Sequence, residues 1–125
     1  MILQEKLPVV VSLIRIAVKN RSTFNFKDFH KIFEKSVSDR DRYDTLDAAS
    51  NSFSHPREAI YSSVMARPST GLPGVGFFET FKIYHNDDYL SIAGDTHPTK
   101  LSEPQQSQMA LPERERVYNH FSSNA

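Results

Sequence analysis

Residues 67–78 read Arg-Pro-Ser-Thr-Gly-Leu-Pro-Gly-Val-Gly-Phe-Phe and hold three of the chain's four glycines and two of its seven prolines. Proline fixes the backbone direction, and glycine permits dihedrals and close approaches that other residues resist. A stretch this dense in both is a shaped turn. It joins the apolar run Ala59–Ala66 to the aromatic run Phe77–Tyr84 and so organises the second half of the fold. Gly71, Gly74 and Gly76 do not reproduce Gly-x-Gly-x-x-Gly, and no Lys-Ser or Lys-Thr follows them as in a phosphate loop. The segment reads as a structural corner whose exposed N–H groups retain some capacity to hold an anion.

A chain of 125 residues suffices for one domain with one modest core. Cysteine is absent, so disulfides, thiolate metal sites and a cysteine nucleophile are all excluded. The expected location is cytoplasmic. The most apolar stretch, Pro8–Val18, contains Ser12 and Arg15 and is too short to span a bilayer, so no membrane association is expected. Net charge is zero, and its distribution is only mildly uneven: residues 1–67 carry 11 Lys/Arg against 8 Asp/Glu, and residues 68–125 carry 4 against 7. Proteins dedicated to nucleic acid advertise a basic face, because phosphate neutralisation supplies much of their affinity. That lowers DNA among the candidate partners without removing it.

Pro8 suits the opening turn of a helix, where its missing N–H would have been unpaired anyway. Val10, Ile14 and Val18 recur at helical spacing, with Val11, Leu13 and Ile16 widening the apolar surface. Thr23–Phe26 alternates as a short strand. Asn25 then caps a helix, with Asp28 three residues on and Phe24 and Phe29 at the staple positions. Its buried stripe is expected to be Phe26, Phe29, Phe33 and Val37, with Lys27, Lys31 and Lys35 on another face. Ser38 with Asp41 opens a third helix to about Phe53, with Tyr43, Leu46, Ala49 and Phe53 inward. The run 59–66 fits a strand, 77–84 a short helix or a wing-like strand, and Asn86–Asp88 a turn. The proline-rich segment 94–112 fits a long surface loop, and the last helix is expected from Pro112, packing Val117, Tyr118 and Phe121 inward.

The order helix, strand, capped helix, third helix, strand and then Thr70-Gly71-Leu72-Pro73-Gly74-Val75-Gly76-Phe77 resembles small winged-helix-like proteins of phages and bacterial mobile elements. The resemblance covers roughly residues 23–78. It implies a fold of class α+β, mainly α: a winged-helix-like three-helix core with a small β-sheet and a C-terminal helix, in a single domain over residues 1–125. It implies no defined activity. The third helix departs from a DNA-reading helix, because Asp39, Asp41, Asp44 and Asp47 outnumber Arg40 and Arg42, and carboxylates are repelled by phosphate.

No cofactor and no metal are expected. His85 with Asp87 or Asp88, and Asp95 with His97, lack the spacing that sets two ligands on one helix, and no Gly-x-Ser-x-Gly elbow occurs. The expected function is therefore non-enzymatic: a phage or mobile-element accessory that binds a protein partner, with Tyr61, Tyr84 and Tyr89 as surface aromatics. The alternative is a winged-helix DNA-binding regulator. It would place Thr45, Ala48, Asn51 and Ser52 in a groove, with Arg57, Arg67 and Lys82 on the phosphate backbone and Lys27 and Lys31 in support. Arg57 has a competing role as an ion-pair partner of Glu58 or Asp47. A small metal-dependent hydrolase built on the His/Asp residues of 85–97 is the third reading.

Overall fold

In the computed structural model of the chain, which describes residues 1–124, helix α1 (Leu7–Lys19) leads to a short strand β1 (Phe24–Asn25) and helix α2 (Phe26–His30). Helix α3 (Asp39–Phe53) follows, then a 3-10 turn at Tyr61–Val64 and strand β2 (Met65–Ala66). Beyond the Gly-Pro turn come α4 (Val75–Tyr84), α5 (Asn86–Ala93) and the long α6 (Glu103–Ser123). The mainly helical class with a small sheet is as expected. The sheet is one parallel pairing, Phe24 with Met65 and Asn25 with Ala66.

The local capping signals form as read. Asn25 Oδ1 accepts from the Asp28 N–H at 2.8 Å, and Ser38 Oγ accepts from the Asp41 N–H at 3.2 Å. Helix α2 nevertheless stops at His30, so the expected stripe to Val37 continues along a succession of turns that still buries Phe33. The side chain that ends the regular geometry belongs to α3: Arg42 donates to the carbonyls of Glu34 and Val37, fixing this stretch as a turn.

Four expectations are corrected. The run 59–66 is largely the 3-10 turn, with only Met65–Ala66 as strand, because its partner strand β1 is two residues long and reaches no further than those two positions. Asn86–Asp88, expected as a turn, is the first turn of α5, whereas 77–84 forms the helix of its two readings, as α4. Segment 94–112 is not one long loop. Ser102 and Gln105 form a capping box that opens α6, Pro104 occupies its first turn, and Pro112 lies inside it on the solvent side, where the missing N–H leaves no buried group unpaired. Ile16, expected inward, is 61% exposed.

Two apolar clusters make the core. Val10, Ile14, Phe29, Leu46, Ala49, Tyr61 and Val64 belong to the first, and Leu72, Phe77, Phe78, Phe81, Tyr89 and Met109 to the second. Helix α6 serves both, placing Met109 and Ala110 in the second cluster and Val117 and Tyr118 in the first. Between those pairs, on the same helical stripe, sit Glu113 and Arg114, 1% and 8% exposed. Glu113 Oε2 accepts from the Ile60 N–H at 2.8 Å. Arg114 donates to the carbonyls of Ser63, Met65 and Gly71 at 2.6, 3.3 and 2.8 Å. A buried charge requires such a set of partners, and here the partners are the irregular backbone at the seam of the two clusters. Among the described residues, no helix is long and apolar enough to cross a membrane.

Candidate functional site: a cleft behind the glycine-proline turn

The turn is closed by its own backbone, Gly71 N–H to the Arg67 carbonyl at 2.8 Å and Arg67 N–H to the Leu72 carbonyl at 2.9 Å. Gly71 adopts φ of 72°, a conformation that costs a side-chain-bearing residue energy. Leu72 is buried beneath the turn, and the Arg114 guanidinium holds the Gly71 carbonyl from α6. The chain thus leaves the turn at Gly74 in a fixed direction and enters α4 without a side-chain cap.

What this geometry creates is a cleft of about 430 Å³ lined by Phe26, Tyr43, Asp47, Arg67, Gly74, Val75, Gly76 and Glu79. It deepens into a narrow space of about 50 Å³ reaching Leu46, Ser62, Met65 and Phe77. One wall is α3 with the start of α2, and the other is the first turns of α4. Each helix contributes an apolar residue and, four positions on, a carboxylate: Tyr43 with Asp47, and Val75 with Glu79. Residues four apart share a helix face. The Tyr43 ring is held in place by stacking on Phe29, with ring centroids 5.8 Å apart, and by His30 Nε2, 3.3 Å from its hydroxyl. Gly74 allows the turn to approach Phe26: a Cβ there would stand 3.2 Å from Phe26 Cζ.

The electrostatics of the cleft are lopsided. Asp47 is exposed as a residue, yet protein crowds its carboxyl, and this desolvation, reinforced by the charges of Asp44 and Glu79, pushes its pKa up to about 6. Among the described residues neither Asp47 nor Glu79 has a hydrogen-bond or ion-pair partner. Asp44 is held by the Met1 amine at 2.6 Å. The one cation of the lining, Arg67, donates its Nη2 to Gln106 Oε1 on α6 at 2.7 Å, and its Nε is buried without a partner.

No family model, curated protein or solved structure matches this chain.

Of the residues proposed from the sequence to bind DNA or a partner, Arg67 alone lines the cleft. Lys27 and Lys31 are exposed on and just after α2, Asn51 is exposed on α3, and Arg57 is exposed in the turn beyond it. Lys82 stands over the Tyr89 ring, 5.4 Å from its centroid. Tyr84 is exposed with its ring edge-on to His55. Thr45 cannot touch a groove of DNA: it is fully buried, donates to the Asp41 carbonyl and accepts from the Leu3 N–H. Tyr61 and Tyr89 are likewise core residues. Their hydroxyls find His120 and the Thr96 carbonyl, which makes burial of both rings affordable. Glu58, expected as a partner of Arg57, lies 3.6 Å from His120 instead.

The row Glu58, His120 and Tyr61 has the order of a proton relay, but burial pushes the Tyr61 phenol up to about 12, and none of the three lines the cleft. His85 Nε2 lies 3.0 Å from the Pro56 carbonyl, and His97 Nδ1 accepts from the Thr99 N–H. Among the described residues no three His, Asp or Glu side chains converge on a metal position. Asp47 entered the sequence reading only as part of the acidic third helix and as a partner for Arg57, and Glu79 not at all, because a lone carboxylate on a helix reads as solvated surface. Their signal was the repeated four-residue spacing from Tyr43 and Val75.

Proposed function

We propose that this chain is a non-enzymatic interaction protein that binds a segment of a partner protein in the cleft between α3 and α4, acting as an accessory of the phage or mobile-element kind that the Thr-Gly-x-Pro-Gly-x-Gly-Phe turn resembles. The observation that carries this reading is a largely apolar cleft, walled by Phe26, Tyr43 and Val75, whose shape is set by a rigid turn clamped from the far side by Arg114. Preformed apolar recesses with a few convergent polar groups are where proteins accept ligands. Aromatic walls of this kind are common in partner-binding surfaces.

The winged-helix reading, with DNA as partner, draws on the same order of elements and on Asn51, Arg57 and Lys27. It is the weaker of the two, because Thr45 is buried and residues 77–84, read as a short helix or a wing-like strand, are helical. A displayed random-peptide library selected on the wild-type protein and counter-selected on Gly76→Leu tests the proposal. A Cβ at position 76 meets nothing within 4 Å, so the leucine fills the cleft without disturbing the core. Peptides retained by the wild type and lost by the variant support the reading. Retention on duplex DNA that falls steeply between two salt concentrations, with no peptide selected, overturns it.

A further inference from the structure

We infer that the cleft selects a basic side chain, a lysine or arginine carried by the partner polypeptide, seated against Phe26 and Tyr43 with its cationic head between Asp47 and Glu79. The inference rests on the reading of the cleft as a partner-binding site and names what that site prefers.

Charge complementarity carries it. Two carboxylates from different helices face one cleft, and neither has a protein partner among the described residues. The one cation of the lining pairs with neither carboxylate: Arg67 is drawn toward α6 by Gln106, and Gln106 is itself fixed by donating to the Leu101 carbonyl at 3.1 Å. The lining therefore holds two negative charges against one positive charge that is directed elsewhere. Desolvation and the charges of Asp44 and Glu79 disfavour the ionised form of Asp47, and a cation seated beside it offsets both by favouring that form.

Shape narrows the choice of cation. The walls are the rings of Phe26 and Tyr43 and the side chain of Val75, a surface suited to an aliphatic stem with the charge at its end. Aromatic faces also attract ammonium and guanidinium groups directly. The narrow inner space ends on Leu46, Met65 and Phe77, with Ser62 beside them, and suits mainly apolar atoms. A lysine or arginine with an apolar neighbour in the same peptide satisfies both parts. A bare metal ion leaves the aromatic walls unused, and an acidic peptide meets like charge.

Capped pentapeptides Ac-Gly-Leu-X-Leu-Gly-NH2, with X as lysine, arginine, norleucine or glutamate, are titrated into the isotopically labelled protein and followed by its amide resonances. The lysine and arginine peptides are expected to shift Asp47, Val75 and Gly76 at least ten times more tightly than the norleucine peptide, and the glutamate peptide to shift none of them. In Asp47→Asn/Glu79→Gln, both of whose sites are exposed, this preference falls to within about twofold, while Gly76→Leu loses every peptide. Equal binding of norleucine and lysine peptides, lost in Gly76→Leu, overturns the basic preference and leaves the partner-binding cleft standing. Binding of n-butylammonium as tight as that of the lysine peptide overturns the polypeptide occupant in favour of a small amine. Failure of all the peptides to shift cleft resonances overturns both this inference and the reading beneath it.

Discussion

The Arg114 guanidinium donates to the carbonyl of Gly71 across 2.8 Å, tying the middle of α6 to the apex of a turn 43 residues earlier in the chain. The same side chain reaches Ser63 and Met65, so one cation gathers the 3-10 turn, β2 and the glycine-proline corner. Ser63 and Met65 are buried and Gly71 is exposed, and Arg114 supplies a donor to the carbonyl of each.

Arg114→Lys is expected to destabilise the protein by about 2 kcal/mol or more, because a single ammonium cannot span three carbonyls and leaves some of them unpaired. The urea midpoint reads the loss. The Val75 and Gly76 amide resonances should broaden in the same variant, since the direction in which the chain enters α4 depends on the clamped turn.

Glu113→Gln is expected to flatten the pH dependence of stability. Burial pushes the Glu113 carboxyl from 4.5 up to about 7, against the opposing effects of the Ile60 N–H and of Arg116, 3.5 Å away. Its folded pKa lies above the unfolded value, so its stabilising contribution is complete below pH 4.5 and is lost as pH rises toward about 7. The full loss is on the order of 3 kcal/mol. The glutamine retains an oxygen for the Ile60 N–H and does not ionise. The stability difference between variant and wild type, measured by urea denaturation from pH 4 upward, should therefore move in favour of the variant across this window and level off above it.

Two glycines of the turn should respond to alanine with opposite signs. Gly71→Ala costs about 1 kcal/mol, because φ of 72° is unfavourable for alanine although the space around it is open. Gly76→Ala gains about 0.5 kcal/mol, since the position is helical, exposed and unobstructed, and alanine narrows the unfolded ensemble. Thermal melts of the two variants compare them directly.

Tyr61→Phe should cost about 1 kcal/mol, the net worth of the bond to His120. The ring stacks on Phe53 at 4.7 Å in an orientation that phenylalanine preserves. Burial keeps the native phenol from ionising until about pH 12, so subtracting the variant's ultraviolet titration from that of the wild type should reveal no tyrosinate at lower pH.

The parts of the fold that were legible in the sequence were those decided within four or five residues. Asn25 with Asp28, Ser38 with Asp41 and Pro8 mark helix starts because the satisfying groups lie beside the orphan donors. Pro104 and Pro112 misled for the converse reason. Proline is a breaker only where its missing N–H or its ring meets a required partner, and a capping box at Ser102 and a solvent-facing position 112 remove that requirement. Tyr61 and Tyr89 read as contact aromatics and Thr45 as a groove residue, whereas all three are buried, with His120, the Thr96 carbonyl and the Leu3 N–H among the groups that satisfy their hydroxyls from beyond the neighbouring turn. The glycine-proline corner announced itself. Its role as a cleft wall depended on Arg114, whose place on the stripe Ala110, Glu113, Arg114, Val117, Tyr118 was masked by the charge run around it.

Helix α6 completes both apolar clusters with one unbroken stretch of 21 residues. During synthesis, the earlier helices therefore keep apolar faces uncovered until α6 has left the ribosome. Folding is then a single late event in which the two halves close together, and a nascent chain stopped at Ser102 would present the translation machinery with two open cores at once.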